Sequence, residues 1–404
     1  MDLASFQALL TLLGQAALQE ASDMQPKEAD FLTLFGRMKQ HYPSDLGRAA
    51  LETAILRVSA GDKFPAANRM YFTREALEQA TSFAIASYRA SRYRAFSQLV
   101  DLGCSIGGDT LALAGLAPTL GIDLDPLRLA MAQANADALE LNQQTAFLQA
   151  DLTRPLPLTS ATNLALFFDP ARRTVSRRTY SVRAYQPPLG QIDAWLERFP
   201  ALGVKISPGV NLSELSSYPA EIEFISLHGE LKEAVLWFGP LKSALRRATL
   251  LPGAHSMARL EQPGHGANLS LPLLEPQEYI YEPDPAVLRA GLVQELGRQL
   301  NAAQLDPDIA YLTANQYIPT PFGRCWAIEA WFPFQLKRLR EALRQRQVGQ
   351  VTIKKRGSPL QPESLIRQLR LAGSERRVVF LTHLRGRPIV ILALDELSQP
   401  GPGL

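Results

Sequence analysis

The chain has 404 residues, 46% hydrophobic and 20% charged, with a formal net charge of +3. That length exceeds one ordinary core and predicts about two to four domains of a globular protein. The small net charge excludes a chain that is basic throughout, so a nucleic-acid partner would need a local basic patch. Two cysteines, Cys104 and Cys325, are too few for a disulfide framework and fit a reducing cytoplasm. Scattered histidines and the lack of a Cys-x-x-Cys pair argue against a metal site. No run of ~18 apolar residues predicts a membrane span. Residues 1–21 carry Asp2 and Glu20 and repeat Phe6, Leu9, Leu10, Leu13 and Leu18 at helical spacing, which reads as helix and not as a signal peptide.

In chain order, residues 1–95 are expected to be a helical region, with periodic apolar stretches near 3–19, 28–40, 46–59 and 74–94. Asp62-Lys63-Phe64-Pro65 marks a break, and Thr73 has the chemistry of an N-cap. Residues 96–240 alternate strands and helices. The strands are expected at 97–102, 118–123, 146–150, 163–169 and 203–207, with helices at 108–117, 126–141 and 190–199. This alternation implies a mostly parallel sheet. The runs 221–227 and 233–238 are joined by only five residues, too few for a helical crossover, so they are expected to pair as an antiparallel hairpin. Residues 241–335 read as a connector and a small α+β domain, with strands at 248–251, 278–281 and 326–331 and a helix at 286–300. Residues 336–397 hold strands at 348–356, 377–382 and 388–394, a helix at 362–369, and Gly386 as a turn. Residues 399–404 read as a frayed tail.

The most informative stretch is Asp101-Leu102-Gly103-Cys104-Ser105-Ile106-Gly107-Gly108, followed by Asp123 at the end of the next strand. An acidic residue, a glycine-rich turn and a second acidic residue about 20 residues on suit a nucleoside cofactor at the carboxyl edge of a parallel sheet. S-adenosylmethionine brings a carboxylate, an ammonium, a ribose and an adenine. Gly103 and Gly107, with Ser105 between them, would let the backbone approach the methionine moiety. Asp101 would accept from the ammonium and Asp123 from the ribose, while Asp151 would receive the adenine amino group. Leu124 and Leu152, next to the last two, complete that set. Each piece has a plainer reading, since a strand-end Asp often caps a helix; their joint order carries the assignment. Gly103-x-x-x-Gly107-Gly108 does not fit the Gly-x-Gly-x-x-Gly fingerprint of NAD, and the terminal hairpin also counts against it.

Phe167-Phe168-Asp169-Pro170-Ala171-Arg172-Arg173 ends the fourth strand, where amino-methylating enzymes carry Asp/Asn-Pro-Pro-aromatic. A carboxylate there would accept an amine N–H and hold its lone pair in line with the methyl group. Proline stiffens the turn. Asp169, Pro170 and Arg172 are therefore the catalytic candidates. Ala171 and Arg172 depart from the pattern, and Asp169-Pro170 as a simple strand end is the plainer alternative. Arg172 and Arg173, with Arg177, Arg178 and Arg183 downstream, suit phosphate contacts or a solvated basic loop equally.

These residues resemble class I S-adenosylmethionine-dependent methyltransferases, whose usual motif Asp-x-Gly-x-Gly-x-Gly has its middle glycine replaced here by Ser105. Met70-Tyr71-Phe72-Thr73-Arg74-Glu75 resembles the Phe-Ser-x-Thr-Pro-Glu of trimethylguanosine synthase, which implies that Phe72 and Thr73 close over the cofactor; a helix cap explains the same residues. Taken together with Lys205-Ile206-Ser207-Pro208-Gly209, Glu230-Leu231-Lys232-Glu233-Ala234, Tyr281-Glu282-Pro283-Asp284-Pro285-Ala286 and Ile353-Lys354-Lys355-Arg356-Gly357, the chain is similar to a bacterial family of methyltransferases with a C-terminal THUMP-like domain. The resemblance implies an α/β, Rossmann-like seven-stranded sheet with a helical N-terminal region and small α+β C-terminal domains, a ferredoxin-like piece among them. It also implies structured RNA as partner. Lys337, Arg338, Arg340, Arg344, Arg346, Lys354, Lys355 and Arg356, opposed only by Glu341, give that partner independent support.

The reading is a cytoplasmic, S-adenosylmethionine-dependent methyltransferase acting on a base of tRNA or rRNA, without metal or membrane. The sequence assigns no oligomeric state. Two rivals stand beside it: a methyltransferase for a protein or small molecule, and a non-catalytic cofactor-binding RNA-interaction protein in which Asp169-Pro170 is only a turn.

Overall fold

A computed structural model of the protein describes residues 1–172, 181–182, 185–260 and 270–394, the side chains of Ala171 and Arg172 excepted. The Arg172 side chain, Arg173, Arg177, Arg178, Arg183 and the tail 399–404 thus lie outside the described residues. The chain divides into two compact units, residues 1–222 with 233–243, and residues 223–232 with 244–404. No helix among the described residues is long and apolar enough to cross a membrane.

The first unit opens with α1 (Leu3–Leu9), α2 (Leu12–Asp23), α3 (Phe31–His41), α4 (Ser44–Ser59), α5 (Arg74–Gln79) and α6 (Phe83–Ala90). The single amphipathic stretch expected over 3–19 breaks because Thr11 caps a new helix, its hydroxyl accepting from the Gly14 amide. Five parallel strands follow: β1 (Gln98–Leu102), β2 (Thr119–Asp123), β3 (Thr145–Gln149), β4 (Leu164–Phe168) and, after the short antiparallel pair β5 (Ala171–Arg172) and β6 (Tyr185–Gln186), β7 (Leu202–Ile206). Helices α7 (Gly108–Ala114), α8 (Pro126–Ala138) and α9 (Gln191–Leu196) lie between them. Strands β8 (Glu221–Leu227) and β9 (Glu230–Trp237) give the hydrogen-bonded order β8-β9-β7-β4-β1-β2-β3, seven strands of a nine-stranded sheet. Their connection is two residues and not five: His228 and Gly229 take φ of 53° and 77°, the left-handed pair of a tight hairpin turn. β9 runs antiparallel to β7, so its start and the carboxyl ends of β1, β4 and β7 share one edge.

The N-terminal helices do not form a core of their own. Phe6, Leu18, Leu51, Ile55, Phe64 and Phe72 pack in one cluster with Ile106, Leu111 and Met131 of the motif turn, α7 and α8. An amphipathic helix must bury its apolar stripe somewhere, and here the stripes close on the helices that flank the sheet.

The second unit contains the antiparallel pair β10 (Arg246–Leu251) and β11 (His255–Arg259), then β12 (Tyr279–Pro283), α10 (Pro285–Ala290), α11 (Val293–Gln299), β13 (Ala303–Asp306), β14 (Ile309–Ala314) and β15 (Gly323–Pro333). The chain goes on with α12 (Leu336–Gln345), β16 (Val348–Lys355), α13 (Pro362–Leu369), β17 (Glu375–Leu384) and β18 (Arg387–Ala393). One sheet, β13-β14-β12-β15-β18-β17-β16, takes in every strand from β12 onward. The eleven-residue β15 pairs with β12 through its first half and with β18 through its second, so the expected small domains at 241–335 and 336–397 share a strand. The helix expected over 286–300 is two helices, parted where Gly291 takes φ +70°.

Helices α12 and α13 cover one face of this sheet over Leu339, Leu343, Leu365, Leu369, Val379 and Leu392. On its opposite side Tyr311, Trp326 and Phe380 pack edge to face.

Candidate active site

Four neighbouring strands of the first unit each bring a charged side chain to one edge. Asp101 and Lys205 are the next-to-last residues of β1 and β7, Asp169 follows β4, and Glu233 lies in the first half of β9. Asp101 is fully buried. Its Oδ2 accepts from the Thr110 hydroxyl at 2.6 Å, and its Oδ1 has no partner among the described residues. Burial, reinforced by the nearby Asp109 carboxylate, pushes the Asp101 carboxyl well above the usual range.

Lys205 is also buried, and its Nζ donates to Asp169 Oδ2 at 2.6 Å. Asp169 keeps about a quarter of its side chain exposed (27%), so the pair fixes one carboxylate oxygen and leaves the group facing outward. Pro170 behind it is buried. Arg89 of α6, 2% exposed, reaches into the same cluster: it pairs with Asp109, donates to Glu233 Oε1 at 2.7 Å, and stacks its guanidinium over the Phe167 ring at 4.5 Å. Burial alone would push Arg89 down; the carboxylates of Asp109 and Glu233 outweigh it and hold the guanidinium charged. Burial likewise raises the Glu233 carboxyl, against the pull of Arg89 and Lys205.

The turn after β1 is built on positive φ at Gly103 (79°), Ser105 (51°) and Gly107 (84°). A Cβ on Gly103 would come within 3.0 Å of the Asp169 carbonyl, and one on Gly107 within 3.2 Å of Ala132 on α8. The close approach these glycines permit is therefore to the chain itself: strand end against strand end, and turn against helix. Ser105 holds a left-handed conformation that favours glycine, and its amide donates to Asp123 Oδ2 at 2.8 Å. Asp123 Oδ1 accepts from the Asp125 amide at 3.0 Å. Leu124 beside it is 62% exposed, an unusual position for a leucine.

The sequence of the first 60 residues matches a domain of unknown function over residues 2–60, and the C-terminal sheet matches the THUMP domain-like family over residues 323–394. A crystal structure of a putative methyltransferase from Porphyromonas gingivalis W83 shares the fold: it is 21% identical, with a TM-score of 0.73 over 92% of this chain and 100% of that one. Two S-adenosylmethionine-dependent methyltransferases of Mycobacterium tuberculosis, from strains CDC 1551 and H37Rv and both described as uncharacterised, are 35% identical over 348 residues, 83% of this chain and 92% of theirs. This chain belongs to the S-adenosylmethionine-dependent methyltransferases. Its cofactor is S-adenosylmethionine, its catalytic sheet is Rossmann-like, and its C-terminal part is THUMP-like.

Within this methyltransferase, Asp101, Gly103, Ser105, Gly107 and Asp123 come together around one turn, and Asp169 adjoins Gly103. Asp151 sits beyond β3 and uses Oδ1 to accept from the Thr153 amide and hydroxyl at 2.9 and 2.7 Å, which holds its carboxyl below the usual range; Leu152 is buried next to it. Phe72 is fully buried against Phe64, and the Thr73 hydroxyl caps α5 by accepting from the Ala76 amide. Their segment is nonetheless fastened to the motif turn. Asn135 of α8, fully buried, exchanges two hydrogen bonds with the Tyr71 backbone and donates a third to the Ile106 carbonyl.

Sequence reasoning passed over Arg89, Asp109, Lys205, Glu233 and Asn135 as site residues. A signal existed for Lys205, a charge inside a strand that is otherwise apolar; Glu233 follows Glu230 and Lys232 on β9 and does not stand out. None existed for Arg89, one of three arginines within residues 89–94.

Proposed function

We propose that this enzyme methylates an exocyclic amine on a base of structured RNA. The observation that carries the RNA assignment is a segregation of charge. Residues 323–394 hold fifteen Lys and Arg against four Glu, a net +11, in a chain whose total is +3, so the rest nets −8. An excess of cations confined to the THUMP-like segment is the electrostatic footprint of a polyanion.

The residues at the edge suit the cofactor. Asp101 presents a buried oxygen without a partner among the described residues, Asp123 a carboxylate whose two oxygens each hold one backbone amide, and Leu124 an exposed apolar side chain on which an adenine can lie. On this reading Asp101 and the turn 103–107 hold the methionine end and Asp123 the ribose. Bound S-adenosylmethionine supplies an activated methyl group. Asp169, tied to Lys205 through Oδ2, accepts the amine N–H and turns the nitrogen lone pair toward the methyl carbon. As the C–N bond formed and the methyl–sulfur bond broke, the nitrogen would gain positive charge, which the acidic edge would stabilise until the proton passed to Asp169. Pro170 stiffens the turn that presents Asp169. Residues 96–240 would carry this chemistry in the cytoplasm, with 1–95 bracing the motif turn and 241–397 handling RNA.

The deciding experiment offers radiolabelled S-adenosylmethionine and purified enzyme to total RNA and, separately, to total protein. Label in nuclease-sensitive material is the expected result; label only in protease-sensitive material refutes the RNA assignment.

A further inference from the structure

The eight cations that crowd residues 337–356 do not form one surface. Lys354 and Arg356 of the β16 end lie over the Trp326 and Tyr311 rings at 4.8 and 5.1 Å and share Glu282, at 2.5 and 3.7 Å. Arg346 pairs with Glu329, and Arg340 donates to the Gln368 carbonyl, tying α12 to α13. These four are occupied by the fold. Lys337, Arg338 and Arg344 are different: they stand exposed on α12, away from the buried Leu339 and Leu343 and without an ion pair among the described residues, although Arg338 lies over the Phe332 ring at 4.7 Å. On α13 and its C-cap, Arg367 and Arg370 are likewise exposed, opposite Leu365 and Leu369. Neither helix sets a carboxylate within ion-pair distance of these five among the described residues, and only Glu341 and Glu363 share their outer surface.

We propose that the outer face of α12 and α13 is the RNA-docking surface, and that it grips the phosphate backbone of double-helical RNA. This rests on the RNA reading above. Charge complementarity selects the occupant: five exposed cations with no ion pair among the described residues, on two packed helices, match a polyanion, and exposed Arg and Lys on helices make phosphate contacts. The form of RNA follows from what the face lacks. Single strands are held by stacking bases on exposed aromatic rings. The exposed large hydrophobic side chains of 323–394 are Ile366 and Leu394, neither aromatic. A cationic face without a stacking platform binds the regular backbone of a duplex and reads no sequence.

The test measures binding of the full-length enzyme to an RNA hairpin with a long stem and to single-stranded poly(U) over a salt series. The wild type is expected to prefer the hairpin. The triple variant Lys337→Gln, Arg338→Gln, Arg344→Gln is expected to bind the hairpin at least about 10-fold more weakly, with a log–log salt slope reduced by about one per cation removed. The double variant Arg367→Gln, Arg370→Gln, on the other helix, should act in the same direction, and both should melt like wild type because these side chains are solvated. A stronger grip on poly(U), or hairpin binding unchanged in both variants, overturns the docking face; so does a loss seen instead in Arg385→Gln, Arg387→Gln at the exposed β17–β18 turn. Methylation of RNA by a wild type that passes the first test separates these failures from failure of the RNA reading itself.

Discussion

The carboxyl edge of the catalytic sheet and the outer face of α12 and α13 are both dense in charge, and they are built in opposite ways. At the edge, Arg89 and Lys205 are buried and each is held by carboxylates from other elements. On the helices, Lys337, Arg344 and Arg367 are exposed and have no acidic partner among the described residues. Burial converts charge into geometry, because a desolvated ion persists only in a fixed, paired arrangement. Exposure converts it into long-range attraction that salt screens. Chemistry belongs to the first kind of site and capture of a polyanion to the second.

That contrast breaks most sharply at Asp169. Asp169→Ala is expected to lower methyl transfer by about 100-fold or more while S-adenosylmethionine affinity, measured by calorimetry, stays within a few-fold. Unchanged turnover would remove Asp169 from the mechanism. Lys205→Met, which keeps the stem and deletes the ammonium, should cost about 10–100-fold in kcat with little change in cofactor affinity, and Lys205→Arg should recover part of it. Equal loss in both variants, or loss of cofactor binding, would show that Lys205 serves the fold instead. Asp123→Ala frees the amides of Ser105 and Asp125 as well as the ribose partner; a roughly 10-fold weaker S-adenosylmethionine titration is expected.

Two smaller effects report on the burial itself. Asp101 has its carboxyl raised by burial and by Asp109, so the folded protein holds a proton there that the unfolded chain releases. The stability this contributes is full below the ordinary carboxylate value and is lost as pH rises through the folded one. In Asp101→Asn the unfolding midpoint should therefore fall less with rising pH than in wild type; parallel curves would contradict the assignment. Ser105→Gly relieves a left-handed serine and should raise stability by about 0.5–1 kcal/mol, readable in a denaturant melt, without loss of cofactor binding.

How much was legible follows from how local each signal is. Asp101–Gly107 and Asp123 could be placed because strand ends and a glycine turn leave a pattern in a few consecutive residues, and their hydrogen bonds link neighbouring strands. The hairpin at 221–237 was legible for the same reason, down to all but its turn length. Phe72 was not, because an aromatic beside a motif and an aromatic in a core look alike until packing is known. β13 and β14 escaped because short runs such as Ala303–Asp306 have little periodicity to read.

The sequence by itself determined the cofactor class, the parallel sheet and its terminal hairpin, and the excess of cations in the last third of the chain, because each is encoded by spacing or composition. Only the tertiary structure decided which charges face each other. It brought Arg89 from the N-terminal helices to Asp109 and Glu233, and Lys205 to Asp169. It also divided one basic run between an ion-paired strand and an open helix face. Ion pairs between residues tens to hundreds of positions apart leave no local trace, and whether a charge is buried with a partner or left in water depends on which face of its element the fold covers.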